Sequence, residues 1–171
     1  MLKPIMNLLA NAILLIAAFV LLLPSNVHGL PEDRAKPIEM SSEDFAQDLA
    51  RGITSYIGSA KITQGALIIE AGRIDVFYKD GKILRVVAIG PPATFRDNPS
   101  EEVGPVYAQG NQVDYDLLTN IVVVTGDALF SNNASEVSAN SIEFDLERGA
   151  ANASGSVRHV IQPPTEDTDE D

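Results

Sequence analysis

The sequence predicts an all-β protein behind an N-terminal signal helix: antiparallel hairpins stacked solenoid-like into a sandwich or β-jelly roll. Three observations predict it. Apolar residues recur with a period of two across residues 37–162, no apolar stripe of period 3.6 lasts three turns there, and one structural unit repeats along the same stretch.

The first 29 residues stand apart from the fold. Lys3 supplies a positive charge, residues 5–23 are apolar apart from Asn7 and Asn11, and Pro24-Ser25-Asn26-Val27-His28-Gly29 follows as a polar region suited to a cut after Gly29. That is the layout of a secretory signal peptide. An uncleaved anchor is the competing reading. Its uninterrupted apolar core, residues 12–23, is short of the roughly 20 residues that span a bilayer. The chain is exported on either reading. Residues 30–36 then read as a short charged linker.

Strands follow in order. Residues 42–50 open like a helix capping box but are too short to outweigh their neighbours. Ala60 and Ile62 alternate with Ser59, Lys61 and Thr63; Ile74 and Val76 with Arg73 and Asp75; Val113 and Tyr115 with Asp114 and Asp116; Ile142 and Phe144 with Ser141, Glu143 and Asp145. Each run is bounded by Gly, Asn or Asp, the residues that turn a chain.

The repeat organises these strands. Phe45 to Ile74 and Val113 to Ile142 are each 29 residues apart, and an Asp follows three residues after Phe45, Val113 and Ile142, at Asp48, Asp116 and Asp145. Thirteen residues after the same three positions stand Gly58, Gly126 and Gly155. The step from Ile74 to Val113 is 39, and the extra ten residues are expected in loops at Gly90-Pro91-Pro92 and at residues 97–105. Each unit is two strands and a turn. One hairpin cannot bury its apolar face, so stacked hairpins should fold over on themselves around an apolar interior. Small residues at Ala60, Ala71, Ala93 and Ala128 leave a roomy interior open as an alternative, while periodicity alone makes a plain packed core the default. A disordered acidic tail, residues 163–171, closes the chain.

Composition limits the chemistry. The 171 residues are 45% hydrophobic and 21% charged, one domain's worth, with 12 Lys+Arg against 24 Asp+Glu and a net charge of -12. That charge argues against any grip on a nucleic-acid backbone. The absence of cysteine removes disulfides, zinc-thiolate sites and cysteine nucleophiles. No phosphate loop, His-Glu-x-x-His or Gly-x-Ser-x-Gly motif occurs, and beyond residue 29 the one histidine is His159. The carboxylate pairs Asp114/Asp116 and Glu143/Asp145 fall on outward strand positions. We therefore expect no enzyme, no metal site and no cofactor. Asn133-Ala134-Ser135 and Asn152-Ala153-Ser154 match the N-glycosylation pattern, which has meaning only in a eukaryotic secretory pathway.

The lead-in Pro37-Ile38-Glu39-Met40-Ser41-Ser42-Glu43, the hairpin from Gly58-Ser59-Ala60 to Gly65 running into Leu67-x-Ile69-x-Ala71, the stretch Ala88-x-Gly90-x-Pro92-Ala93-x-Phe95, and Val113-Asp114-Tyr115-Asp116 together resemble the LptA/OstA-like family. The likeness covers about residues 37–160. It departs at the bends, where the family's recurrent Ala-Asp is Ser42-Glu43, Ala71-Gly72, Gly110-Asn111 and Ala139-Asn140.

The resemblance implies a slightly open jelly roll in the periplasm that receives the acyl chains of lipopolysaccharide. It also implies strand addition end to end, with itself head to tail and with inner- and outer-membrane transport components. Alternation and the match together put Ile38 and Met40 at the start of the groove. They put Ala60, Ile62, Leu67, Ile69, Ile74 and Val76 in its first half, and Val113, Tyr115, Val122, Val124, Ala128, Phe130, Ile142 and Phe144 in its second. Lys61, Arg73, Lys79, Lys82 and Arg85, or bridging divalent cations, would screen the lipid's phosphates from the acidic body. Two alternatives stay open: a membrane-anchored, LptC-like member of the same bridge, and a protein-binding β-scaffold that takes no lipid.

Overall fold

The six long strands of the fold all cross one bend. The computed structural model describes residues 32–163, so the expected signal peptide and residues 164–171 of the acidic tail lie outside the described residues. After a 3-10 turn at Glu32–Ala35 come β1 (Glu39–Ser41), β2 (Asp44–Asp48), β3 (Ile53–Gln64), β4 (Leu67–Lys79), β5 (Lys82–Asp97), β6 (Val106–Asp116), β7 (Ile121–Asn132), β8 (Ser135–Asp145), β9 (Ala150–Ser154) and β10 (Arg158–Ile161). All pair antiparallel in a single sheet, β1-β3-β4-β5-β6-β7-β8-β10, with β2 also on β3 and β9 also on β8.

The register of each neighbouring pair breaks at a common transverse level, between Ile57 and Ala60, Glu70 and Arg73, Ile89 and Ala93, Gln109 and Gln112, and Thr125 and Ala128, and β4–β5 shifts once more between Phe77 and Tyr78. Along this line the sheet folds over. β1 with β2, and β9 with β10, are the two ends' versions of one bent strand, broken at Ser42-Glu43 and at Gly155-Ser156-Val157. The result is two walls. An upper wall holds residues 60–64, 67–71, 93–97, 106–110, 128–132 and 135–139 with β1 and β10. A lower wall holds residues 53–57, 73–79, 82–89, 112–116, 121–125 and 141–145 with β2 and β9. This is the jelly roll that the repeat predicts.

The glycines found by spacing make the bend. Gly58-Ser59, Gly126-Asp127 and Gly155-Ser156 all have positive φ at both residues, a left-handed pair that a residue with a side chain enters at a cost. At Gly126 space enforces the choice as well, because a Cβ there would come within 2.5 Å of the Asn111 side chain on β6. Three of the bend pairs read as departures from the family, Ser42-Glu43, Gly110-Asn111 and Ala139-Asn140, are thus the partners of these glycines. Asn140 donates its backbone N–H to the carbonyl of Gly155 at 2.7 Å, and Glu43 does the same to Gly58 at 3.0 Å while its carboxylate accepts the Ser59 hydroxyl.

Gly90-Pro91-Pro92 is not a loop. It lies inside β5 and forms that strand's bend, where the ladder skips from Ile89 to Ala93 and no backbone N–H is needed from either proline. Only residues 98–105 form a loop. The repeated aspartates are turn caps: Asp48 accepts the N–H of Arg51, Asp116 those of Leu118 and Thr119, and Asp145 those of Glu147 and Arg148.

The interior is filled, as the packed-core default has it and not as the roomy alternative would. Ala60 pairs with Ala71, Ala128 with Ala139, and Ala93 with Gly110, all next to the bend and all buried. Two walls leave the fold line at an acute angle, so only small side chains fit where they converge. Larger ones fill the wider space beyond: Phe95 meets Tyr115 edge-on across the walls, with centroids 5.7 Å apart, and Phe130 meets Phe144 at 4.3 Å.

Candidate functional site

Alternation places fourteen of the sixteen expected groove residues in the buried interior: Ala60, Ile62, Leu67, Ile69, Ile74, Val76, Val113, Tyr115, Val122, Val124, Ala128, Phe130, Ile142 and Phe144. The other two differ. Met40 is half-buried and packs on the edge of the core, and Ile38 is exposed. Both sit on the terminal pass, which has a neighbour on one side only. With Ile62, Leu67, Ile69, Ile83, Val86 and Leu117 they line an apolar cleft that opens between the walls at the β1 end.

Residues missing from the expectation belong mainly to β5 and its partner: Val86, Ala88, Phe95, Val106 and Ala108 are all buried in the same interior. The signal was present in the alternation of Val86 with Ala88. The Gly-Pro-Pro bend interrupted it, and the run beyond the bend looked like the start of a loop.

Opposite the fold line the walls part, and the mouth between them is closed differently from the back. Among the described residues no backbone hydrogen bond joins the upper wall to the lower across this mouth; the ladders and turn bonds stay within a wall or at the bend. Side chains and two short segments lace it instead.

The stretch read as a linker is one of these segments. Asp33 accepts the N–H of Ala66 at 2.9 Å, and the Gln64 amide donates to the carbonyls of Arg34 and Lys36, tying the 3-10 turn to the upper wall. From that turn Arg34 pairs with Asp97 at the end of β5 and lies over the ring of Tyr115 on the lower wall, 5.8 Å from its centroid. Asp97 is 5% exposed. Burial pushes its carboxyl above the usual carboxylate range; the Arg34 guanidinium and the Asn98 N–H oppose this without cancelling it. The second segment is the 98–105 loop, whose Val103 packs on the core and stands against Gly149 in the turn after β8.

The ends of the roll are open. Phe45 on β2 pairs with Tyr56, facing the interior from an edge, and is 60% exposed. At the far end His159 and Ile161 on β10 and Ala151 and Ala153 on β9 hold the corresponding positions, and Ile161 is 71% exposed. Each edge offers unpaired backbone groups as well as apolar side chains.

The outer faces carry the charge. Lys61 pairs with Glu70, Arg73 with Asp75, and Arg85 with Asp114 through both ends of its guanidinium. Three of the five cations expected to screen phosphates are therefore already paired; Lys79 and Lys82, at the facing ends of β4 and β5, have no carboxylate partner among the described residues. Among the described residues no group of His, Asp or Glu could hold a metal ion. The arrangement is an apolar interior packed between two walls joined along one fold line, with exposed strand edges at both ends.

A family model described as LptA/(LptD N-terminal domain) LPS transport protein matches residues 39–150. The lipopolysaccharide export system protein LptA of Haemophilus influenzae is 29% identical over 154 residues, covering 88% of this chain and 88% of that protein. Lipopolysaccharide export system protein LptH of Pseudomonas aeruginosa is 25% identical over 137 residues, covering 80% and 78%. The crystal structure of LptH, titled the LptA-homologous periplasmic component of the lipopolysaccharide transport device, superposes with a TM-score of 0.71 at 24% identity over 78% of this chain and 100% of that one. That superposition carries the fold alone.

Proposed function

The chain belongs to the LptA/(LptD N-terminal domain) family of LPS transport proteins, and from that premise we propose that it carries lipopolysaccharide through the periplasm with the acyl chains held between its two walls. One observation of the fold supports this most: the interior is lined predominantly by apolar side chains, with Thr54 and, at the mouth, Asp97 buried among them, yet among the described residues its two walls share backbone hydrogen bonds only through the fold line. Spreading them at the mouth sacrifices side-chain contacts and no ladder. An acyl chain entering the slot replaces wall-to-wall contact with wall-to-lipid contact, and each CH₂ kept from water stabilises by about 0.8 kcal/mol. Several chains amount to tens of kcal/mol.

The open ends suit assembly. An edge with unpaired N–H and C=O groups accepts a strand from a neighbour. The β1/β2 edge and the β9/β10 edge differ, so their union is head to tail and extends without closing. The same edges would receive inner- and outer-membrane partners, in keeping with relatives named as export-system proteins. A signal peptide cut after Gly29 delivers the chain to the periplasm. The role asks for no catalysis, and the energy for movement comes from elsewhere.

The test is saturable binding of purified lipopolysaccharide to the exported protein, followed by native mass spectrometry, with Met40→Asp as the comparison. Met40 is half-buried at an edge, so the variant folds. Binding by the native chain that weakens at least tenfold in Met40→Asp supports the reading; a folded native chain that takes up no lipopolysaccharide contradicts it.

A further inference from the structure

The ladder sets Ile68, Arg96, Tyr107 and Ser131 side by side on the outer face of the upper wall, one from each of four neighbouring strands, at the level where those strands end at the mouth. Together with Asn98, Asn133 and the ends of the adjoining loops they line a cleft of about 510 Å³, within the range of small-ligand sites. The cleft has a cation without a carboxylate. Among the described residues seven of the eleven Lys and Arg side chains have a carboxylate within 4 Å; the four without are Lys79, Lys82, Arg96 and Arg158.

Arg96 is also held in place. Its guanidinium lies over the ring of Tyr107, 5.4 Å from the centroid, which orients the planar fork while leaving its N–H groups available. The nearest acid in sequence does not compete. Asp97 also lines the cleft, but its side chain is buried and its charge is committed to Arg34 at the mouth. Glu101 and Glu102, in the loop above, are exposed and do not line the cleft. On a chain of net charge -12, an oriented guanidinium with no acid partner, ringed by side-chain amides and a hydroxyl, suits an oxyanion carried on a sugar.

Arg96 and Asp97 are consecutive, so the step from the outer cleft to the apolar slot is one residue along β5. An amphiphile with its chains between the walls has to bring its head across that rim. We propose that the Arg96 cleft is a subsite for a phosphate or carboxylate on the head sugar of the bound lipid, with Arg96 gripping the oxyanion through two N–H groups and Asn98, Asn133 and Ser131 meeting the sugar's hydroxyls. The subsite rests on the lipid-carrier reading above and adds to it a specificity for charged heads. Arg96 replaces Lys61, Arg73 and Arg85 as the phosphate-facing cation.

The experiment uses the full exported chain with three probes at constant ionic strength: bisphosphorylated lipid A, the same lipid with both phosphates removed, and inorganic phosphate. Arg96→Gln is compared with Arg158→Gln, which removes a cation equally free of carboxylates at the β10 end. Arg96 is exposed and supports no part of the core, so both variants fold. The subsite predicts that Arg96→Gln weakens binding of the phosphorylated lipid about tenfold, leaves the dephosphorylated lipid within twofold, and that Arg96→Lys falls between, while Arg158→Gln changes neither. Equal affinities of the native chain and Arg96→Gln for the phosphorylated lipid, or an equal loss for both lipids, overturn the subsite while leaving lipid carriage intact. Saturable inorganic phosphate binding that Arg96→Gln abolishes, without any preference of the native chain for the phosphorylated lipid, overturns it in favour of a free-anion site. Failure of the native chain to bind either lipid overturns the carrier reading and the subsite together.

Discussion

Phe45 and Ile74 hold the same place in the repeat, yet Ile74 is fully buried and Phe45 is 60% exposed. Val113 and Ile142, the other two members of the set, resemble Ile74 in this. The difference is not in the local sequence, since each position faces inward from a strand of the lower wall. It lies in the neighbours: β4, β6 and β8 have partners on both sides, and β2 has one. A roll built of repeats therefore divides into a middle, where the repeat's apolar residues supply stability, and two ends, where equivalent residues remain available. The two ends also differ from each other. The β1/β2 end presents bulk, with Met40 and Phe45, and the β9/β10 end presents Ala151, Ala153 and an exposed Ile161.

The sharpest way to break this comparison is to cut into the middle. Phe95→Ala removes a fully buried ring from β5 and should cost about 3–5 kcal/mol in a urea melt. A cost below 1 kcal/mol would mean that the middle is not the stability-bearing part.

Next in size is the lacing of the mouth. Arg34→Met leaves Asp97 buried without its cation and should cost about 3 kcal/mol at pH 7. The pH dependence has a defined sign. The Asp97 carboxyl titrates above its unfolded value of 3.8, so the folded state holds more protons in that window. Its contribution to stability is fully present below 3.8 and is lost as pH rises through the raised folded value. Without Arg34 the folded value rises further. The deficit of Arg34→Met should thus shrink as melts are taken from pH 7 toward pH 4, and a deficit that stays constant would show that Asp97 is not its source.

The bend allows a matched test. Gly126 and Gly155 have the same left-handed φ, and a Cβ at either meets an asparagine side chain, Asn111 or Asn140. Gly126→Ala, in the middle, should cost about 2 kcal/mol. Gly155→Ala, on the end pass with freedom to splay, should cost less than half of that; equal costs would erase the distinction. The smallest expected stability effects are at the edges. Phe45→Asp and Ile161→Asp should each shift unfolding by no more than about 0.5 kcal/mol, and the proposed head-to-tail union predicts that each abolishes concentration-dependent self-association in sedimentation.

What could be read from the sequence follows the same division. In the middle a residue's period-two position and its repeat number determined its surroundings, so the inward face was legible down to Val122 against Val123. At the ends the same arithmetic put Ile38 and Met40 at the start of the groove, and both line the cleft that opens there; how far each is covered was not legible, because alternation reports a side chain's direction and says nothing of whether a second neighbour lies over it. Gly90-Pro91-Pro92 was misread for a related reason. Gly and Pro mark a break in the ladder, and only the partner strands reveal that the break is the common bend rather than a loop. The Arg34 strap and the Arg96 cleft were not legible at all. Each depends on contacts across more than ten residues of sequence, Arg34 to Asp97 and Arg96 to Tyr107, which no local pattern encodes.

The central claim, that lipid chains lie between the walls, is tested most directly by photocrosslinking in cells with benzoylphenylalanine at Phe130 and, separately, at Leu129. The two are adjacent in β7 and face opposite sides, Phe130 buried in the interior and Leu129 on the outer face. The account predicts an adduct with lipopolysaccharide from position 130 and none from 129. Adducts of equal yield from both positions, or from 129 alone, would contradict it.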